Sequence, residues 1–182
     1  MVNDDEIFTD LENLSKKKSI LQEDLLKVLK KYSKTISVFD LMNASTLLKE
    51  DGKYIQVQYR DQFLEVYIKY FIMRVKDISE NNNIYTNSIN QEEFEESTDL
   101  LKKQFNKDKN EERKKSRFPL IYALCSFYST YILEEPIHPV GTPFPGNLKV
   151  EEKNGIYYCP VKDNQNDNPN AVCKLCLAIQ TE

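Results

Sequence analysis

Three of the chain's four cysteines lie within a short C-terminal segment, and the only histidine precedes them. Cys173 and Cys176 are separated by two residues, so a helix over residues 169 to 180 would place both on one face, one turn apart. Cys159 ends an extended segment that could return to meet them. Thiolates and imidazoles are typical ligands of zinc, and thiolates also hold iron–sulfur clusters. The pattern predicts a metal site formed by Cys159, Cys173 and Cys176, with His138 as the fourth ligand and Cys125 as the alternative.

The same residues allow three other interpretations. They could be ordinary buried thiols, with His138 only bracing a turn. Cys173 and Cys176 could form a redox pair, because a helix start lowers the pKa of a thiol, but the strand that precedes such a pair in thioredoxin is absent. His138 could activate a cysteine as a nucleophile, but the sequence supplies no third group to orient it. The sequence leaves undecided whether the protein catalyses a reaction.

Two arginines suggest a site for a small anion. On a helix from Tyr54 to Ser79, a rotation of about 100° per residue places Arg60 and Arg74 opposite the polar stripe, among apolar side chains. A guanidinium there needs an anionic partner, because an unpaired buried charge is costly. That partner is either an external anion or an internal acid. The Pro- and Gly-rich loop from His138 to Gly146 could present Thr142 to such a ligand, or it could simply connect two elements.

Composition and charge argue against two kinds of partner. The formal net charge is −4, with 30% charged and 40% hydrophobic residues, as in globular proteins. Residues 102–117 carry eight basic and three acidic residues, but with Phe105 as the lone aromatic they favour a solvated helix face over a nucleic-acid patch. The apolar stretch from Phe118 to Leu133 is shorter than the roughly 20 residues of a membrane-spanning helix. The acidic start lacks a signal-peptide pattern, so we expect a cytoplasmic protein without nucleic-acid or membrane partners, and a protein partner or homo-oligomer stays open.

Residues 1–135 are expected to form a helical bundle. Asn3-x-x-Glu6, Ser19-x-x-Gln22 and Ser37-x-x-Asp40 each resemble a capping box at a helix start. Gly52 suits the end of the third helix, where glycine accepts a left-handed conformation. Another helix begins near Gln91, and Pro119 fits the first turn of a last, buried helix.

Residues 136–182 follow a different pattern, since six of the seven prolines and three of the four glycines lie there. Leu148 to Cys159 reads as a β-hairpin, because Asn154-Gly155 is a preferred pair for a tight turn. Asn168 and Pro169 are typical of the start of a short helix. The fold class predicted is mainly α, a helical bundle with a small C-terminal β-hairpin and a Cys/His-containing module packed on it as one domain.

The C-terminal motifs resemble the archaeal family called domain of unknown function 2115, found mainly in methanogens. The resemblance rests on the stretch from His138 to Gly146 (HPVGTPFPG), on Tyr157 to Val161 (YYCPV) and on Cys173-x-x-Cys176, about a quarter of the chain. The family has no assigned activity, so it implies no catalytic residue. It implies an anaerobic archaeal cytoplasm, which favours reduced cysteines and makes an iron–sulfur cluster a rival to zinc.

Metal binding through the C-terminal residues is therefore the leading functional hypothesis. A metal-free helical protein-interaction module is the alternative. An enzyme that acts on a small anionic ligand, using the arginines and His138, comes third.

Overall fold

Six α-helices make up most of the part of the chain that the structure describes. The structure is a computed structural model that describes residues 4–107, 115–165, 168 and 171–181. The helices are α1 (Glu6–Ser15), α2 (Gln22–Ser33), α3 (Val38–Asp51), α4 (Val57–Glu80), α5 (Gln91–Lys107) and α6 (Phe118–Phe127). A π-helical turn, Tyr128–Ile132, continues α6. The prediction of a mainly helical protein is confirmed.

Helix α6 is buried because it is apolar on every side. Its residues Leu124 and Phe127 pack in a core with α1, α2 and α5. Its residues Ile121 and Cys125 pack in a second core with α3 and α4, where Tyr67 and Phe71 contribute rings. The helix therefore joins the two halves of the bundle.

The predicted helix ends have mixed outcomes. The capping box at Ser37 is confirmed, since Asp40 N–H donates to Ser37 Oγ at 3.2 Å and Ser37 N–H donates to the Asp40 carboxylate at 2.8 Å. The box at Ser19 is wrong, because Leu21 is the N-cap residue of α2 and makes no side-chain cap. The Gln22 side chain instead donates to the Tyr131 carbonyl at 2.8 Å, so a tertiary contact replaces the local one. The box beginning at Asn3 lies outside the described residues.

Gly52 ends α3, but the predicted left-handed conformation is wrong. Its φ is −61°, within the ordinary helical region. Position 52 nevertheless favours glycine, because a Cβ there would lie 2.7 Å from a methyl carbon of Leu64. Close packing against α4, rather than backbone conformation, therefore accounts for this glycine.

Short strands occur in two places, within the bundle and in the C-terminal region. Strands β1 (Ile20–Leu21) and β2 (Ser88–Ile89) pair within the bundle, β3 (Pro143–Phe144) pairs with β4 (Leu148–Lys149), and β5 (Glu151–Lys153) pairs with β6 (Ile156–Cys159), all antiparallel. The predicted hairpin is confirmed for β5 and β6, where Asn154 and Gly155 both have positive φ, as a tight turn requires. Strand β4 belongs to a separate two-stranded sheet.

The helix predicted over residues 169 to 180 is wrong in its described part. Residues 173–175 form a turn, and β7 (Ile179–Gln180) pairs in parallel with β6. A helix of this length is marginal without packing, so strand pairing outweighs the local helix-start signal. Val172 and Leu175 of this segment pack into the core with α1, α2 and α5. The tail is thus attached to the bundle through its own apolar side chains.

Candidate functional site: the C-terminal thiols

The parallel pairing of β6 and β7 brings three cysteines into one neighbourhood. Cys159 is the last residue of β6 and is buried. Cys173 and Cys176 are half-buried in the turn and connection that lead to β7. The turn is held by a hydrogen bond from Cys176 N–H to the Cys173 carbonyl at 3.3 Å. Lys162 fixes it further, since its Nζ donates to the Cys176 carbonyl at 2.6 Å.

The electrostatics show that these thiols act on one another. Burial raises the pKa of Cys159, the nearby backbone N–H groups of Val161 and Lys162 lower it, and a thiolate at Cys176 would raise it further. Burial likewise raises the pKa of Cys173, and a thiolate at Cys176 or Cys159 would raise it further. Cys159 and Cys173 are therefore protonated thiols at neutral pH, and no cysteine forms a disulfide.

A ready-made metal centre is not present in the described part of the chain. Among those residues, no three or more His, Cys, Asp or Glu side chains form a group that could hold a metal ion. The predicted Cys/His-containing module is therefore not seen among these residues, and that part of the fold prediction is not confirmed. Metal binding at Cys159, Cys173 and Cys176 stays a prediction.

His138, the first choice for a fourth ligand, lies in an aromatic environment. Its ring centroid is 4.9 Å from that of Tyr67 and 5.9 Å from those of Phe63 and Phe144. Burial lowers its pKa to about 4, so the imidazole is neutral at physiological pH. It connects the loop after the bundle to α4.

Cys125, the second choice, lies in the core between α3, α4 and α6. Its thiol contacts the Phe71 carbonyl at 3.6 Å. Burial raises its pKa far above the ordinary value, so it stays protonated and behaves as a small apolar side chain.

The two arginines have separate environments. Arg60 donates to the carbonyls of Ile55 and Lys53, at 2.9 and 2.7 Å. These hydrogen bonds hold the residues that precede α4 against the first turns of the helix. Arg74 lies 14 positions further along, roughly 21 Å away at 1.5 Å per residue. It is buried and donates to the Glu135 carboxylate. The two side chains thus bind internal acceptors at separate points of α4, and binding of an external anion by Arg60 or Arg74 stays a prediction.

The Arg74–Glu135 pair involves residues that the sequence did not identify. Tyr70 donates its hydroxyl to the same carboxylate at 2.7 Å, and the Arg74 guanidinium carbon lies 3.9 Å from the centre of the Tyr70 ring. The only signal in the sequence was the position of Arg74 on the apolar side of α4. That position requires an acidic partner but does not say which acid supplies it.

Thr142 has an internal role in the loop between the bundle and the hairpin. It is fully buried, and its hydroxyl donates to the Pro139 carbonyl at 2.7 Å. Its carbonyl accepts from Val150 N–H at 3.0 Å, while Gly141 N–H donates to the Val150 carbonyl at 2.8 Å. The motif from His138 to Gly146 thus fastens the hairpin to the bundle, and ligand binding by Thr142 stays a prediction.

Cys176 also lines a cleft of about 530 Å³ between α5 and the tail. Glu93 and Glu96 lie on its helical wall, and Lys162 and Lys174 on the tail wall. A second cleft, of about 540 Å³, lies among α3, α4, α5 and α6 and is lined mainly by apolar and aromatic side chains. The first cleft therefore gives small molecules access to Cys176.

Comparison with known proteins extends the resemblance beyond the C-terminal motifs. The family model described as "Uncharacterized protein conserved in archaea (DUF2115)" matches residues 21–181. A UPF0305 protein of Methanothermobacter thermautotrophicus is 36% identical over 156 residues, which is 86% of this chain and 94% of the relative. A UPF0305 protein of Methanocaldococcus jannaschii is 30% identical over 156 residues, 85% of this chain and 93% of the relative. No solved structure matches significantly.

None of the helices in the described residues combines the length and the apolar content needed to span a membrane. The expectation that the stretch containing Phe118 is a buried helix of the bundle is confirmed by its place in both cores.

Proposed function

We propose that this chain, which belongs to the archaeal family DUF2115, binds a zinc ion or an iron–sulfur cluster through Cys159, Cys173 and Cys176. The observation that carries the proposal is the parallel pairing of β6 with β7. Cys159 and Cys173 are 14 residues apart in the sequence. The strand pairing brings their segments close enough for the thiols to influence one another's pKa. Thiolates are the preferred ligands of both kinds of centre.

Binding requires a change in protonation and a change in the positions of the thiols. Because burial keeps Cys159 and Cys173 protonated, a metal has to displace their protons, and its affinity rises with pH. The N–H groups of Val161 and Lys162, which lower the pKa of Cys159, would stabilise its thiolate in the complex. The sulfur atoms would also move together, since a zinc–thiolate bond is about 2.3 Å long.

The fourth ligand distinguishes a structural centre from a reactive one. His138 and Cys125 are the candidates within the chain, but one packs among aromatic rings and the other in the helical core. The cleft at Cys176 would instead admit water or another external ligand. Closed four-ligand zinc sites are structural, whereas sites with three protein ligands and an open position are typical of catalysis.

The test is metal analysis and visible absorption of protein purified without oxygen. Stoichiometric zinc without colour would support a zinc site, and iron with sulfide and a broad band near about 400 nm would support a cluster. Cys159→Ser, Cys173→Ser and Cys176→Ser should each lower the metal content. Cys125→Ser, at a thiol in the helical core, should leave it unchanged unless Cys125 is itself the fourth ligand. Absence of metal, together with free titration of all four thiols after unfolding, would reject the proposal and favour the metal-free interaction module.

A further inference from the structure

A buried polar group on α4 lacks a hydrogen bond that it needs. Arg74 is only 7% exposed, and its Nη2 donates to the Glu135 carboxylate. Its Nη1 lies 3.9 Å from the carboxylate of Asp77. The Nε–H, however, is buried and has no partner among the described residues. Buried N–H groups are almost always bonded to protein or to ordered water, so this exception calls for a partner.

A second unpaired polar group lies across the interface on α6. Ser126 is fully buried, and its Oγ also has no partner in the described part of the chain. Arg74 and Ser126 line the same small cavity, together with Cys125 and Ser129. Two residues with unpaired polar groups, one an obligatory donor and the other able to donate or accept, therefore line one small cavity.

The volume of this cavity limits which molecule can occupy it. The cavity is about 10 Å³, which is about the smallest space that holds one water molecule. A carboxylate or a phosphate does not fit. The charge of Arg74 is already balanced by Glu135, so the cavity offers no net charge to attract an ion.

We propose that one water molecule occupies this cavity, accepting a hydrogen bond from Arg74 Nε–H and donating one to Ser126 Oγ. The water completes the bonding of the buried guanidinium and links α4 to α6 just before the π-helical turn at Tyr128. Waters inserted beside a helix often accompany such local departures from α-helical geometry. The site is independent of the C-terminal thiols and of any metal bound there.

A high-resolution crystal structure tests the assignment directly. The expected result is a density peak within hydrogen-bonding distance of both Arg74 Nε and Ser126 Oγ. The matched variant Ser126→Val replaces the hydroxyl with methyl groups that fill the cavity, so the peak should be absent there. An empty cavity in the wild-type protein, a protein group bonded to Nε, or an anomalous signal from bromide at this position after a soak would each overturn the proposal.

A measurement in solution serves if Ser126→Val does not fold. The chain has four arginines, so the Nε–H signal of Arg74 can be assigned by its loss in Arg74→Lys. In the wild-type protein, this proton should show laboratory-frame and rotating-frame Overhauser peaks to water of opposite sign, as a long-lived contact gives. Arg60 is the control, because its Nε–H donates to the Ile55 carbonyl. A peak from Arg74 to protein protons alone would mean that the cavity is dry.

Discussion

Because the chain has a single histidine, the histidine contribution to the pH dependence of the free energy of unfolding belongs to one residue, His138. His138 is enclosed by the rings of Phe63, Tyr67 and Phe144, and burial lowers its pKa from 6.5 to about 4. The unfolded chain exposes the imidazole to water and restores a pKa near 6.5. Between these two values the unfolded state binds more protons than the folded state, so the free energy of unfolding must decrease as the pH falls.

The size of the effect follows from the difference between the two pKa values. A fall from 6.5 to about 4 corresponds to about 3 kcal/mol if the whole difference is expressed. His138 keeps some solvent exposure, so we expect about 2 kcal/mol. This contribution is fully present above about pH 6.5 and is lost progressively as the pH approaches about 4.

Urea unfolding at a series of pH values measures this contribution. His138→Phe keeps an aromatic ring in the cage and removes the titrating group, so its stability should depend less on pH than that of the wild type in this window. The carboxylates that also titrate, such as Asp10 and Glu151, are common to both proteins and cancel in the comparison. Equal pH slopes for the two proteins, or an imidazole that titrates near 6.5 in the folded protein by NMR, would refute the reasoning.

Three further predictions concern other parts of the molecule. Glu135→Gln removes the charge that balances buried Arg74 and should lower the free energy of unfolding in urea by about 1–2 kcal/mol, less than for a fully buried pair because Glu135 is partly exposed. The control is Asp77→Asn, whose carboxylate lies 3.9 Å from Arg74 and whose loss should cost under about 0.5 kcal/mol. Equal losses for the two variants would contradict the pairing of Arg74 with Glu135. Gly155→Ala places a side chain at a φ of 79° and should cost about 1 kcal/mol by the same assay, so an unchanged stability would argue against this turn. The Cys125 thiol should react with iodoacetamide only after unfolding, as mass spectrometry of the labelled protein would show, and early labelling would contradict its burial.

The sequence predicted the elements whose cause is local. The bundle follows from apolar residues at helical spacing, and the capping box at Ser37 from two side chains three residues apart. The hairpin follows from Asn154-Gly155, since this pair adopts the positive φ values that the turn requires. The match of the family model to residues 21–181 likewise confirms the family suggested by the C-terminal motifs.

Local signals failed where a distant contact competed with them. The helix-start signal at Asn168 and Pro169 did not lead to a helix over Cys173 to Gln180, because β7 pairs with β6 instead. Glycine at position 52 serves packing against Leu64 rather than a left-handed turn. In both cases the deciding partner lies more than ten residues away, so no short pattern could reveal it.

The residue types needed for chemistry were therefore determined by the sequence, and their partners by the tertiary structure. The sequence alone identified the thiols, the imidazole and the need of Arg74 for a counter-charge. Helix packing decided that Glu135, 61 residues from Arg74, supplies that charge, and that His138 lies among aromatic rings. Strand pairing brought the segment of Cys173 and Cys176 near enough to Cys159 for the thiols to influence one another's pKa. The physical reason is that a side chain's charge state and partners depend on which elements pack around it, and contacts between distant elements leave no periodic signal in the chain.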